Sequence, residues 1–180
     1  MKYWKRVDIE GYEKIARDAL LFSARCKTRR FWNSIELEGL IEAVPALKTA
    51  MATFGEIKAV TIIVIGSPLT ALHIDNAFGV GLSVGARINI PVMNTAGTNT
   101  LFYQIGEQEH PVSVGGVFGT KVWPVHLLRT LTPVAAVSLT SPTILRTSAP
   151  HIVLSPKASQ ENPRISLTIS MVDDVVSFLD

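Results

Sequence analysis

The sequence predicts a mainly β fold, an antiparallel sandwich or barrel behind a helical flank, and three observations carry that expectation. Beyond residue 56 the chain is a succession of short runs rich in β-branched residues: Ile57–Ile65, Arg87–Met93, Thr100–Gln104, Val112–Val117, Val125–Leu131, Val134–Leu139, Thr143–Arg146, His151–Leu154 and Arg164–Ser170. Such residues suit the pleated, half-buried surface of a sheet. Turn formers part the runs at Gly66-Ser67-Pro68, Asn94–Asn99, Gly106, Gly115-Gly116, Gly119, Pro133, Ser141-Pro142 and Pro156–Pro163, the punctuation of all-β architectures. No helical periodicity lies between them, which disfavours a parallel βαβ fold.

The flank is read in order. Ile9, Tyr12, Ile15, Ala16, Ala19 and Phe22 fall on one stripe, predicting a packing helix over 8–25 with Asp8 as its cap. Ser34 is placed to cap a second helix with Leu37, Leu40, Ile41 and Val44 inward. Pro45 breaks it and suits the first turn of a third, whose apolar face runs through Leu47, Ala50, Met51 and Phe54 to Gly55, a good stop. Val172, Val175, Val176 and Leu179 predict a short closing helix. With no repeat and no linker, residues 1–180 read as a single domain: 1–55 mainly helical, 56–171 the β core, 172–180 the closing helix.

Composition bounds the function. At 180 residues, 47% hydrophobic and 18% charged, the chain can bury a real core. A formal charge of +2 is too small to imply nucleic acid, and the cluster Lys27, Arg29, Arg30 reads as a solvated loop. The single Cys26 cannot form an internal disulfide. The charged N-terminus has no apolar signal core, and the uncharged β-branched stretch 59–72 is interrupted by Gly66 and Pro68 and too short to span a bilayer. A soluble cytoplasmic protein with no membrane partner is the expectation.

The chemistry concentrates in Thr70-Ala71-Leu72-His73-Ile74-Asp75-Asn76, which sets an imidazole and a carboxylate two residues apart after an apolar run. Residues i and i+2 of a strand point to one side, so His73 and Asp75 can serve one cation. A third ligand has to come from a distant strand. His151 follows Pro150, which biases the residue before it to extended backbone, and opens Ile152-Val153-Leu154. Two His and one carboxylate with open positions suit non-haem Fe(II) that activates O2. Thirteen residues on, Arg164 and Ser166 share a strand face. A buried Arg among apolar neighbours needs an anion, and its fork grips a carboxylate bidentately, which points to a bound dicarboxylate.

The series His73-x-Asp75, His151, Arg164-x-Ser166 resembles the Fe(II)/2-oxoglutarate-dependent oxygenases, over residues 57 to 171. The resemblance implies a double-stranded β-helix, a jelly roll or cupin-like barrel, flanked by N-terminal helices. It implies that His73, Asp75 and His151 bind iron, that Arg164 pairs with the distal carboxylate of 2-oxoglutarate, and that Ser166 hydrogen-bonds it. Fe(II), 2-oxoglutarate and O2 would be the reaction partners, with succinate formed as a substrate C–H bond is oxidised. Arg87-Ile88-Asn89-Ile90-Pro91 is similar to the strand that helps hold 2-oxoglutarate in the aspartyl/asparaginyl β-hydroxylase branch, with Asn89 in place of a His. Tyr103 could donate to the co-substrate, unless Thr100 or Phe102 faces inward on that strand.

Other residues are read as structural. His126, the rival third ligand, has only Arg129 near it, too close in sequence to be the clamp; His110 sits in a charged turn; Trp32 and Trp123 read as core or rim aromatics. Gly79, Gly81 and Gly85 precede no helix, so they read as a lid beside the metal rather than a phosphate loop. Where demethylases of nucleic-acid bases carry a second Arg, this chain has Ser170, so a small-molecule or peptide substrate is favoured over nucleic acid. A cupin-like barrel that binds metal or a small ligand without oxygen chemistry stays as the alternative, with Arg164 the discriminator. A capsid-type jelly roll would leave His73, Asp75, His151 and Arg164 without a shared purpose.

Overall fold

Strand after strand in the core alternates two kinds of side chain, and the alternation decides the layering. A computed structural model describes residues 1–25, 32–35, 37–75, 85–106, 109, 112–113 and 121–180. The strands are β1 (Trp4–Arg6), β2 (Trp32–Ile35), β3 (Ile57–Ile65), β4 (His73–Ile74), β5 (Arg87–Met93), β6 (Asn99–Tyr103), β7 (Val112–Ser113), β8 (Lys121–Val122), β9 (Pro133–Ser138), β10 (Thr143–Leu145), β11 (His151–Leu154) and β12 (Arg164–Met171). They form two antiparallel six-stranded sheets, ordered β1-β10-β5-β12-β3-β2 and β7-β8-β4-β11-β6-β9. The fold is mainly β with few helices: α1 (Tyr12–Arg25), α2 (Leu37–Ala43) and α3 (Ala46–Met51).

The first sheet shows its two faces most clearly on β12, which is buried throughout. Ile165, Leu167, Ile169 and Met171 join Val60 and Ile62 of β3, Ile88 and Ile90 of β5 and Ile144 of β10 in one apolar cluster. Ile15, Ala16 and Ala19 of α1, Leu40 of α2, and Leu47 and Met51 of α3 complete it, so the helices cover this face. Each large side chain there stabilises the fold by roughly 1.5–3 kcal/mol. The opposite face carries Arg164, Ser166, Thr168 and Ser170 of β12, Arg87 and Asn89 of β5, Thr61 of β3 and Thr143 of β10, all buried. It looks toward the second sheet: Arg87 reaches Asp75, and Leu145 packs with Phe102 and Val137. Ile63, Ile65 and Leu145 share this face by register, but burying so many polar groups between two sheets is costly unless they find partners, and the space they face is termed the chamber.

The expectations for β3, β5 and β11 agree with the strands to the residue, β6 and β9 are shifted by one residue, and β10 and β12 differ by one residue at an end. Four local readings are corrected. The first helix starts at Tyr12, not at 8, because Gly11 (φ +70°) takes the cap and its carbonyl accepts from Lys14 and Ile15; Asp8 is no cap. Ser34 does not open a helix: it lies in β2, paired with Thr61, a ladder to β3 overriding the local signal. With β1 this puts two strands in the flank read as helical. Val125–Leu131 is not a strand but a 3-10 turn over Val125–Arg129 started by Pro124, and the closing helix is likewise 3-10, Val175–Leu179. Of Val112–Val117, residues 114–117 lie outside the described residues, as do Cys26, the cluster at 27–30, His110 and residues 76–84 of the proposed lid. Among the described residues no helix is long and apolar enough to cross a membrane.

Candidate metal centre

The centre is built by one strand pair. β4 and β11 run antiparallel with His73 directly opposite His151, and directly opposed residues present their side chains on one face. Both imidazoles are buried, 5% and 6% exposed, with ring centroids 4.4 Å apart. Each is anchored the same way: Nδ1 of His73 donates to the carbonyl of Ala71 at 2.7 Å, and Nδ1 of His151 to that of Ala149 at 2.9 Å. A carbonyl only accepts, so Nδ1 carries the proton and Nε2 of the neutral ring keeps its lone pair. This is how a backbone acceptor fixes the tautomer of a metal-binding imidazole.

Asp75 follows β4, its backbone N–H held by the Thr147 carbonyl at 3.0 Å. Its carboxylate oxygens are divided. Oδ1 lies 3.4 Å from Nε2 of His73, and Oδ2 lies 3.3 Å from the Arg87 guanidinium of β5. One ligand atom from each of His73, Asp75 and His151 lies within 4.8 Å of the others, a span that one cation at ~2.0–2.2 Å from each can bridge. Burial would raise the Asp75 pKa, but the hydrogen bond it accepts from His73 when that ring is protonated, and the charge of Arg87, hold it well below the usual carboxylate range. Burial and then the nearby His73 push His151 down to about 4. In His73 burial acts downward and Asp75 more than offsets it, leaving the pKa raised. Two imidazoles and an ionised carboxylate, buried together with fixed tautomers, fit a divalent transition metal.

Arg164 and Ser166 project side by side from β12 into the chamber, the guanidinium donating to the Ser166 hydroxyl at 3.3 Å. Arg164 is 4% exposed, its Nε has no hydrogen-bond partner, and no carboxylate among the described residues pairs with it. Burial lowers its pKa to about 10. Asn89 is engaged instead: its Oδ1 accepts from Thr168 at 2.6 Å and its Nδ2 donates to the Arg87 carbonyl at 3.3 Å.

The geometry thus brings together His73, Asp75, His151 and Arg87, and sets Arg164, Ser166 and Asn89 on the same buried face of the first sheet. It does not bring in Tyr103. His151 pairs across with Phe102, so Phe102 and Thr100 share the metal-side face, and Tyr103 packs on the other face with Leu72, Trp123 and Ile152. Tyr103 as a co-substrate donor is therefore corrected by the register. His126 is exposed on its 3-10 turn and far from the role of third ligand. Two partnerships went unread in the sequence: Arg87 with Asp75, and Thr168 with Asn89. The anchoring carbonyls left a signal, because Ala71-Leu72-His73 and Ala149-Pro150-His151 repeat one Ala-x-His spacing.

No protein-family model and no curated protein matches this chain. Solved structures do. A crystal structure of the epimerase SnoN in complex with Fe3+, alpha-ketoglutarate and nogalamycin RO superposes with a TM-score of 0.58 at 14% identity, over 99% of this chain and 85% of that one. A second, of SnoN as the non-haem alpha-ketoglutarate-dependent epimerase from nogalamycin biosynthesis, gives 0.54 at 13% identity over 99% and 84%. AviO1 from Streptomyces viridochromogenes Tue57 follows with 0.45 at 10% identity over 93% and 88%. At these identities the likeness to SnoN is one of fold.

Proposed function

We propose that the protein is an Fe(II)- and 2-oxoglutarate-dependent oxygenase built on a double-stranded β-helix. His73, Asp75 and His151 bind the metal, and Arg164 with Ser166 anchors the distal carboxylate of 2-oxoglutarate. Asn89 and Arg87 act on the wall between them: Asn89 braces Thr168, and Arg87 steadies Asp75. Strand order supports the fold assignment. β3, β4, β5 and β6 alternate between the sheets, as do β9 to β12, giving inner orders β3-β12-β5-β10 and β4-β11-β6-β9, the double winding of a jelly roll. The SnoN likeness supports it too.

The observation that carries the reading is Arg164, a buried guanidinium with no anion among the described residues. A buried cation is tolerated when an anion and hydrogen bonds compensate it. Among the described residues this buried region holds two guanidinium groups, Arg87 and Arg164, and one carboxylate, Asp75, which Arg87 contacts. A divalent metal would raise the sum of these charges from +1 to +3, and a dianion would bring it back to +1 where a neutral ligand would leave it at +3. The bound metal supplies dioxygen activation coupled to decarboxylation of 2-oxoglutarate. The chain's own residues orient: the Ala71 and Ala149 carbonyls aim both Nε2 lone pairs, Arg87 takes one Asp75 oxygen and leaves the other for the metal, and the surrounding strands exclude water.

C–H oxidation of a small-molecule or peptide substrate is the proposed outcome. The epimerase neighbour makes inversion at a carbon the second outcome to assay. A cupin-like barrel that binds metal or a small ligand without oxygen chemistry is the rival, and it does not need a cationic clamp at Arg164. The test is succinate release from 2-oxoglutarate under Fe(II) and air. Succinate from the wild type and its loss in Asp75→Ala and Arg164→Ala are expected. Stoichiometric iron and bound 2-oxoglutarate with no succinate would favour the rival.

A further inference from the structure

The segments that carry the metal cluster meet at Gly85, and a carboxylate distant in sequence holds them there. Asp174 opens the closing 3-10 turn, where its Oδ1 accepts from Val176 N–H at 3.0 Å. The same carboxylate reaches the entry of β5: Oδ2 accepts from Gly85 N–H, and Oδ1 from Ala86 N–H at 3.1 Å. The Gly85 carbonyl in turn accepts from Ser148, from its N–H at 3.3 Å and its hydroxyl at 3.0 Å.

Both ends of this chain of bonds adjoin the cluster. Ala86 precedes Arg87, the partner of Asp75. Thr147 and Ala149 flank Ser148: the Thr147 carbonyl accepts from Asp75 N–H at 3.0 Å, and the Ala149 carbonyl from Nδ1 of His151 at 2.9 Å. Capping alone asks less of Asp174. A capping side chain satisfies an N–H of its own turn, whereas Gly85 and Ala86 belong to another part of the chain. Gly85 also suits the approach. A Cβ there would lie 2.6 Å from Oδ2 of Asp174, although its φ is outside the left-handed region, so close passage rather than backbone shape calls for glycine. The turn behind Asp174 is seated by Val175 and Leu179 in the apolar cluster. Asp174 itself is exposed, so its effect lies in where it fixes Gly85 more than in its screened charge.

We propose that Asp174 is a positioning residue for the metal centre: through Gly85 and Ser148 it sets where Arg87, Asp75 and His151 stand. It touches neither metal nor substrate. The inference rests on the reading of His73, Asp75 and His151 as metal ligands, and a ligand set whose supporting bonds are loosened holds its ion less tightly.

Titration of the full chain with Co(II), read by calorimetry and by visible absorption, tests it, with urea unfolding of the metal-free forms alongside. Asp174→Ala is expected to bind Co(II) about three- to tenfold more weakly, less than the ~10–100-fold for a group that bonds a metal ligand directly, and to alter the Co(II) absorption bands. Asp174→Asn, which keeps one acceptor oxygen, is expected to fall between that variant and the wild type. Gly85→Ala pushes the carboxylate away and is expected to match Asp174→Ala. The double variant is expected to lose no more than either single one, because the added methyl then meets no carboxylate. Leu47→Ala, in the apolar cluster under the helices, is expected to lower stability and leave Co(II) affinity and absorption at wild-type values. Unchanged affinity and absorption in the Asp174 variants, losses that add in the double variant, or an equal loss in Leu47→Ala overturns the proposal. If Gly85→Ala does not fold, the Asp174 series and Leu47→Ala decide it. A wild type that binds no Co(II) sinks the metal reading and this inference with it, whereas wild-type binding with unaltered Asp174 variants sinks this inference alone.

Discussion

Arg87 and Asp75 meet at 3.3 Å between the two sheets, Arg87 reaching from β5 to the carboxylate that follows β4. The contact occupies Oδ2 and leaves Oδ1 on the side of His73. On the proposed reading Asp75 would offer the metal one oxygen in a fixed direction, and Arg87, by holding the other, would act as a positioning residue. Arg87→Gln is expected to lower metal affinity about 10–100-fold, the usual effect of losing a group that orients a ligand. Iron titration of both proteins checks it, and equal affinities would return Arg87 to a purely structural role.

Asp75→Ala removes the only acidic ligand of the cluster. We expect loss of iron binding at neutral pH with the fold retained, read as iron content against circular dichroism. Stoichiometric iron in the variant would exclude Asp75 as a ligand.

Arg164→Met is expected to move two quantities in opposite directions. Replacing an unpaired buried cation with an apolar side chain of similar volume leaves the metal-free protein as stable or up to ~1–4 kcal/mol more stable. The same change weakens 2-oxoglutarate by ~2–5 kcal/mol, the range for breaking a buried charge pair. Urea unfolding and calorimetry give the two numbers. Lower stability together with unchanged 2-oxoglutarate affinity would mean that Arg164 serves the fold and not an anion.

Metal-free stability should fall between pH 6.5 and 4. His151 is held at about 4 by burial and then by His73, against about 6.5 when unfolded. In that window the unfolded chain binds a proton that the folded chain refuses, so stability drops as pH falls, by up to about 3 kcal/mol. Asp75, also depressed, contributes stability that is present above about pH 4 and lost below it. His73, with its raised pKa, opposes the trend: its contribution is present below about pH 6.5 and fades as pH rises through its folded value. His151→Gln should flatten the curve between pH 6.5 and 4. An equal slope in the variant would contradict the assignment.

Thr168→Val leaves the Oδ1 of buried Asn89 without its 2.6 Å donor. A loss of ~1–3 kcal/mol is expected, the cost of an orphaned buried acceptor, measured by urea unfolding.

The sequence carried the long strands because β-branched runs such as Ile57–Ile65 and Arg164–Ser170 are bounded by turn formers on both sides. It carried the cluster of His73, Asp75 and His151 because i, i+2 spacing on a strand fixes which side chains share a side. What it missed was decided at a distance. Ser34 looks like a helix cap until β3 pairs with it. Tyr103 looks available to the co-substrate until the pairing of His151 with Phe102 fixes the register of β6, since a slip of one residue exchanges the two faces. The Arg87 contact to Asp75 spans twelve residues and both sheets, and no local pattern encodes it.

The central claim is that two Nε2 atoms and one Asp75 oxygen converge on a single ion, with Arg164 gripping the acid that shares it. A crystal structure of the protein with Mn(II) and 2-oxoglutarate under anaerobic conditions tests this most directly. One ion is expected at ~2.0–2.2 Å from Nε2 of His73, Nε2 of His151 and one oxygen of Asp75, with the distal carboxylate of 2-oxoglutarate on Arg164. An ion bound elsewhere, ligation through Nδ1, or an Arg164 turned away from the bound acid would contradict it.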